Sequence, residues 1–101
     1  MAQFDVYVNT NTNTAHLFPY LLDVQNDLFS TLRTRVVVPL AVGITPVRHL
    51  NPVFDISGTT VAMSTADIAG ISLDYCTKIV TNLESNRNEI VDALDFMVGG
   101  F

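Results

Sequence analysis

The feature that most limits how this chain can fold is a change of period near residue 83. Up to that point the apolar residues come in short alternating or continuous runs broken by turn formers. Only the stretch from Leu83 to Phe101, LESNRNEIVDALDFMVGGF, carries helical spacing. Leu83, Ile90, Leu94 and Met97 follow one another at intervals of seven, four and three, which aligns them on one helical face. Glu84, Arg87, Asp92 and Asp95 fall mostly on other faces, as expected of a helix resting on a core. Ser85 or Asn86 is placed to cap the start, and Asn86 with Glu89 has the spacing of a capping box. Gly99 and Gly100 accept the left-handed geometry that ends helices. Phe101 stands beyond them, a bulky apolar residue that either folds back or meets a partner.

The remainder reads as strands. Gln3 to Val8 alternates, with Phe4, Val6 and Val8 on one side and Gln3, Asp5 and Tyr7 on the other, the pattern of a half-buried strand. Asn9 to Thr14, all Asn and Thr, reads as a mobile hairpin loop. His16 to Asp23 predicts a second strand, which Pro19 would confine to an edge or a bulge. The chain then turns near Asn26 and Asp27. Arg35 to Leu40, a β-branched run, predicts a strand buried on both faces. Ala41 to Asn51 lacks periodicity and reads as a connection. Pro52 to Ile56 and Thr60 to Ser64 flank Ser57-Gly58-Thr59, a hairpin signal. Thr65 to Ile71 fits either a helical turn or a strand, and one more short strand is expected between Ser72 and Val80. Short connections between neighbouring strands favour a mostly β, antiparallel, strongly curled sheet, a small barrel carrying one C-terminal helix.

Composition narrows the function. A chain of 101 residues with 49% apolar residues suits a single domain spanning 1–101. Neither a secretion signal nor an eighteen-residue apolar window is visible, and the lone Cys76 cannot form an internal disulfide, so a cytoplasmic, buried-thiol setting is expected. Ten acidic residues face five basic ones. The basic residues, Arg33, Arg35, Arg48, Lys78 and Arg87, are too scattered to displace counterions from a nucleic acid, so a protein partner is favoured over DNA, RNA or membrane. No glycine-rich phosphate loop, paired histidines or cysteine cluster appears. His16 and His49 read as surface residues, and the pairs Asp23/Asp27 and Asp92/Asp95 as solvated carboxylates. Ser64 and Thr65 have no activating base in view. No catalytic residue, metal or cofactor is expected.

The order of segments carries a resemblance. Phe4-Asp5-Val6-Tyr7, Asp23-Val24-Gln25-Asn26-Asp27-Leu28, Arg35-Val36-Val37-Val38-Pro39-Leu40, Leu50-Asn51-Pro52-Val53, Met63-Ser64-Thr65-Ala66-Asp67-Ile68-Ala69 and the helix from Arg87 to Met97, with Gly100 penultimate, together resemble the CcdB family of toxins. The likeness covers nearly the whole chain. It implies a dimeric SH3-like barrel, shared with MazF-like proteins, that acts without catalysis. Such a toxin binds the A subunit of DNA gyrase, traps it on cleaved DNA, and is removed by a cognate CcdA-like antitoxin. Carried over by position, the gyrase-binding residues are Asn26, Leu28 and Phe29 from the turn and Asp95, Val98, Gly99, Gly100 and Phe101 from the helix end. Met97 falls where the family packs its homodimer. The family's aromatic pair, which includes a tryptophan, is replaced here by Val98 and Gly99. A gyrase-inactive, antitoxin-binding module and a MazF-like endoribonuclease are the alternative readings.

Overall fold

The computed structural model describes residues 2–100. Its seven strands are β1 (Asp5–Val8), β2 (Tyr20–Asp23), β3 (Thr34–Ala41), β4 (Val53–Ile56), β5 (Thr59–Met63), β6 (Ala69–Ser72) and β7 (Ile79–Asn82), followed by the helix α1 (Arg87–Gly99). All pairings are antiparallel, in the order β4-β5-β3-β2-β1-β7. On the side away from β2 the long strand β3 serves two partners. Its first half, Thr34 to Val37, pairs with β6, and its end, Leu40 and Ala41, pairs with β5. That division curls the sheet into the half-barrel expected from the short connections, with α1 lying against it.

Alternation along the strands sends side chains to two separate cores. Phe4, Val6, Leu22, Val38, Leu40, Phe54, Ile56, Val61 and Met63 form the larger one, closed by Leu83, Ile90 and Ala93. Ile90 and Ala93 are the fully buried positions of α1, while Leu94 packs at their margin. Tyr7, Leu21, Val37 and Cys76 form the smaller core on the opposite side, with Ile71 against it. The first strand is therefore covered on both faces rather than half-buried, because Tyr7 is as enclosed as Val6.

Several local expectations change in the folded chain. Pro19 does not place its segment at an edge. The strand begins after it, at Tyr20, and β2 lies centrally between β1 and β3, so the missing N–H falls outside the ladder. Asn9 to Thr14 is tied down by its own side chains: Asn9 Nδ2 donates to Thr14 Oγ1 at 3.0 Å and to the Phe18 carbonyl at 2.8 Å. Thr65 to Ile71 is both things at once, a 3₁₀ turn at Thr65–Asp67 and then β6. A further 3₁₀ turn, Leu73–Tyr75, precedes β7. Asn86 stands at the N-cap position of α1, but neither it nor Ser85 makes a side-chain cap bond. A 3₁₀ turn at Glu84–Asn86 leads into the helix, and Asn86 Nδ2 donates to the Glu89 carboxylate instead. At the other end Gly100, with φ +71°, stops the helix and donates its N–H to the Phe96 carbonyl, as the glycine pair predicts. Ser57 and Gly58 both have positive φ, the two-residue turn that matches strand twist and joins β4 to β5.

The largest departure concerns Asp23, expected to be solvated. It is fully buried beside an equally buried Arg35. Arg35 Nε and Nη2 donate to the two Asp23 carboxylate oxygens at 2.7 and 2.9 Å, a bidentate fork. The Tyr7 hydroxyl donates to Asp23 Oδ2 at 2.7 Å, and the Gln25 backbone N–H to Oδ1 at 3.0 Å. Period-2 alternation cannot show this, because Asp23 occupies the same face as Leu21 and Arg35 the same face as Val37. Burial, then the bond to Asp23, pushes the Tyr7 phenol far above its ordinary value. Burial also raises the Cys76 thiol, in keeping with an inert sulfur.

Removing one member of a buried pair strands the other charge, so Asp23→Asn or Arg35→Met should each cost about 3–5 kcal/mol in urea unfolding. The double replacement Asp23→Leu/Arg35→Met should cost clearly less than the sum, and strict additivity would show that the pair is not coupled. A second outcome concerns alkaline pH. The unfolded phenol releases its proton near pH 10 while the folded one retains it, so the folded state binds more protons and stability falls as pH rises past about 10. Tyr7→Phe should flatten that decline, and absorbance titration of the native protein should show one of the three tyrosines silent until unfolding.

Candidate functional site

The residues singled out for partner binding lie on two elements. The first is a 3₁₀ turn at Asp27–Phe29 between β2 and β3. The Asn26 side chain accepts from the Leu28 N–H at 2.9 Å, and the Gln3 N–H donates to Asp27 Oδ1 at 2.9 Å. With its polar groups engaged, the turn thrusts its apolar residues outward: Leu28 is 84% exposed and Phe29 55%. An exposed leucine alone means little, but two adjacent large apolar side chains on so short a turn form a tip that water solvates poorly.

The second element is the end of α1. Val98 is 83% exposed, and Asp95, Gly99 and Gly100 are exposed too. Met97 is half-buried, between the core stripe and the surface. Phe101 lies outside the described residues. Asp27–Phe29 is not among the elements with substantial contacts to α1, which packs on the larger core and on the turns Thr65–Asp67 and Glu84–Asn86. The structure thus gathers Asn26, Leu28 and Phe29 on one tip and Asp95, Val98, Gly99 and Gly100 on another.

Gln25 is the residue that sequence reasoning misses. It is buried, accepts from the Val36 N–H through Oε1 at 3.0 Å, and donates through Nε2 to the Phe29 carbonyl at 2.9 Å. The available signal is a glutamine wedged between a strand end and a turn, where its amide can replace lost ladder bonds.

The remaining chemistry is sparse. A cleft of about 220 Å³ is lined by His49, Asn51, Pro52, Glu89 and Asp92. His49 adopts a left-handed backbone with its ring 6.2 Å from that of Phe96. His16, Asp92 and Asp95 are exposed as expected. A second, more apolar cleft of about 260 Å³ lies among Phe18, Leu21, Pro39, Ile71 and Tyr75. Among the described residues no three His, Cys, Asp or Glu side chains gather to hold a metal, and no buried side-chain polar atom lacks a partner. Ser64 Oγ donates to Asp67 and Thr65 Oγ1 to the Leu50 carbonyl, both structural roles. The cations stay scattered: Arg35 is buried, Arg87 faces Glu84 at 3.8 Å and covers the Phe4 ring at 5.3 Å, and Arg33, Arg48 and Lys78 are exposed. No helix among the described residues is long and apolar enough to cross a membrane.

Two comparisons bear on this arrangement. A solved structure described as an "Endoribonuclease from Mycobacterial species" superposes with a TM-score of 0.77, covering 98% of this chain and 91% of that one at 17% identity. At that identity the likeness speaks for a shared fold. The family model for the CcdB protein matches residues 3–100, nearly the whole chain. The protein described here therefore belongs to the CcdB family, toxins of toxin–antitoxin systems that an antitoxin partner neutralises.

Proposed function

We propose that this CcdB-family toxin works as a cytoplasmic homodimer that binds the A subunit of DNA gyrase and traps the enzyme on cleaved DNA, without catalysis of its own. A CcdA-like antitoxin would reverse the capture. The observation that carries the reading is the pair of apolar tips, Leu28 with Phe29 and Val98 at the helix end, exposed on a toxin whose polar interior is fully engaged. A two-fold pair, formed around Met97, would present each tip twice and bring turn and helix end from different protomers within one partner's reach. Val98 and Gly99 stand where the family carries its aromatic pair, and Phe101 replaces an aliphatic end, so Phe101 from each protomer is left to supply the aromatic area.

The endoribonuclease reading draws support from the structural neighbour, but the charge distribution speaks against it. RNA phosphates need a basic, polar groove. This chain carries net charge −5, its cations are dispersed, and the buried Arg35 is committed to Asp23.

Purified protein added to gyrase, ATP and closed circular DNA should yield linear DNA after denaturation. Deleting Gly99 to Phe101, or replacing Leu28 by Asp, should reduce that yield by at least about tenfold, as loss of an interface anchor does. Thermal unfolding of these variants should stay close to the parent's. Cleavage of RNA by the same preparation, without linear DNA, would transfer the assignment to the ribonuclease.

A further inference from the structure

Leu28 and Phe29 are exposed, yet the backbone that carries them is hung from the buried, fully hydrogen-bonded Asp23–Arg35 pair. The connection runs through Gln25. Its own N–H is fixed on Asp23 Oδ1, and Asp23 is clamped by Arg35 and Tyr7. Its side-chain oxygen accepts from Val36 in β3, which fixes the amide plane. The amide nitrogen is thereby aimed at the Phe29 carbonyl, which it meets at 2.9 Å, while the same carbonyl accepts the Leu32 N–H at 3.1 Å. On the other flank Gln3 holds the turn through Asp27 Oδ1 and donates through Nε2 to the Val24 carbonyl at 3.2 Å. Inside the turn, Leu28 N–H meets the Asn26 side chain and Phe29 N–H the Asn26 carbonyl. A three-residue turn with two solvated apolar side chains has no packing of its own to order it, so these bonds are what give it a single shape.

From this we infer that Gln25 is a positioning residue, holding the Leu28–Phe29 tip in its binding form before the partner arrives. The inference rests on the reading of that tip as part of the gyrase-binding surface. Ordering a flexible loop on association weakens binding, and a tip ordered in advance avoids that loss. Gln25 is buried and touches no partner itself. Its effect on affinity has to pass through the tip, and this separates positioning from general support of the fold.

Two replacements divide its contacts. Gln25→Glu keeps an acceptor for Val36 and lacks the donor for Phe29, whereas Gln25→Met lacks both. In each, amide hydrogen exchange at Leu28 and Phe29 should quicken about five- to tenfold, the factor one neutral hydrogen bond is worth, with the amides of β1, β2 and β3 unchanged in Gln25→Glu. Affinity for the purified gyrase A subunit should fall by a similar factor, and that fall should vanish when Leu28→Ala is already present. A loss persisting in full in the Leu28→Ala background, or exchange rising equally through all three strands, would overturn the inference. Should neither variant fold, nuclear relaxation of the parent decides. Order parameters near 0.85 at Leu28 and Phe29 support a preformed tip, and values below about 0.6 overturn it. If the parent has no affinity for that gyrase polypeptide while its tip is rigid and Gln25-dependent, the relay stands and the partner assignment falls.

Discussion

The ion pair between Arg35 and Asp23 is the constraint on which the rest of this molecule depends. Both side chains are essentially inaccessible to water, and moving two charges into such a place is unfavourable unless their hydrogen-bonding capacity is nearly exhausted. Here Asp23 receives the bidentate guanidinium fork, the Tyr7 phenol and the Gln25 N–H. These donors come from β1, β3 and the exit of β2. One carboxylate therefore fastens three adjacent strands at the point where the sheet turns away from its regular ladder. A hydrophobic substitute could fill the volume, but it could not dictate which strand end faces which.

Fastening at that point shapes what lies on either side. Where β2 ends, the Asp23 carbonyl takes the Phe4 N–H, Val24 donates to Val36, and the chain leaves the sheet in one defined direction. Phe4 adopts a left-handed backbone there, uncommon for an aromatic residue, and the gain is a side chain directed into the larger core under Arg87. The two cores are built from neighbouring residues of the same strands: Leu21 and Leu22, Val37 and Val38, Tyr7 and Val6. The sheet is a partition between them, and β3, shared by β5 and β6, is its hinge of curvature.

This explains which parts of the fold can be read from the sequence. The helix, the Ser57-Gly58 hairpin, the doubly buried β3 and the glycine stop at Gly100 each leave a local signature in period or backbone preference. Their burial can be inferred because one residue type does one thing. The ion pair leaves no such trace. Asp23 beside Asn26 and Asp27 looks like turn chemistry, and Arg35 at a strand start looks like a solvated end; only the tertiary pairing, twelve residues apart, reverses both readings. Pro19 misleads for the related reason that the strand begins at Tyr20, three residues after its apolar run opens at Leu17. Of the positions carried over from the family, Leu28 and Val98 are exposed. The bonds from Gln25 to the turn and to β3 are hidden, because an amide bridging two backbone segments has no periodic signal.

The fold itself is neutral about what its bearer does, since a protein described as an endoribonuclease shares it at low identity. What a bearer of this fold does must then depend on what the half-barrel leaves outside. Here one of the five cations is drawn inside to neutralise Asp23, and another is held over Phe4 beside Glu84. Burying the Arg35–Asp23 pair leaves the net charge unchanged but removes a cation from the surface where a polyanion would look for it. What remains outside is an acidic surface interrupted by apolar tips, the combination on which the proposal of a protein target rests. The same interaction that orders the interior thus also takes an arginine off the surface, and the guanidinium that fastens the strands is no longer available to bind phosphate.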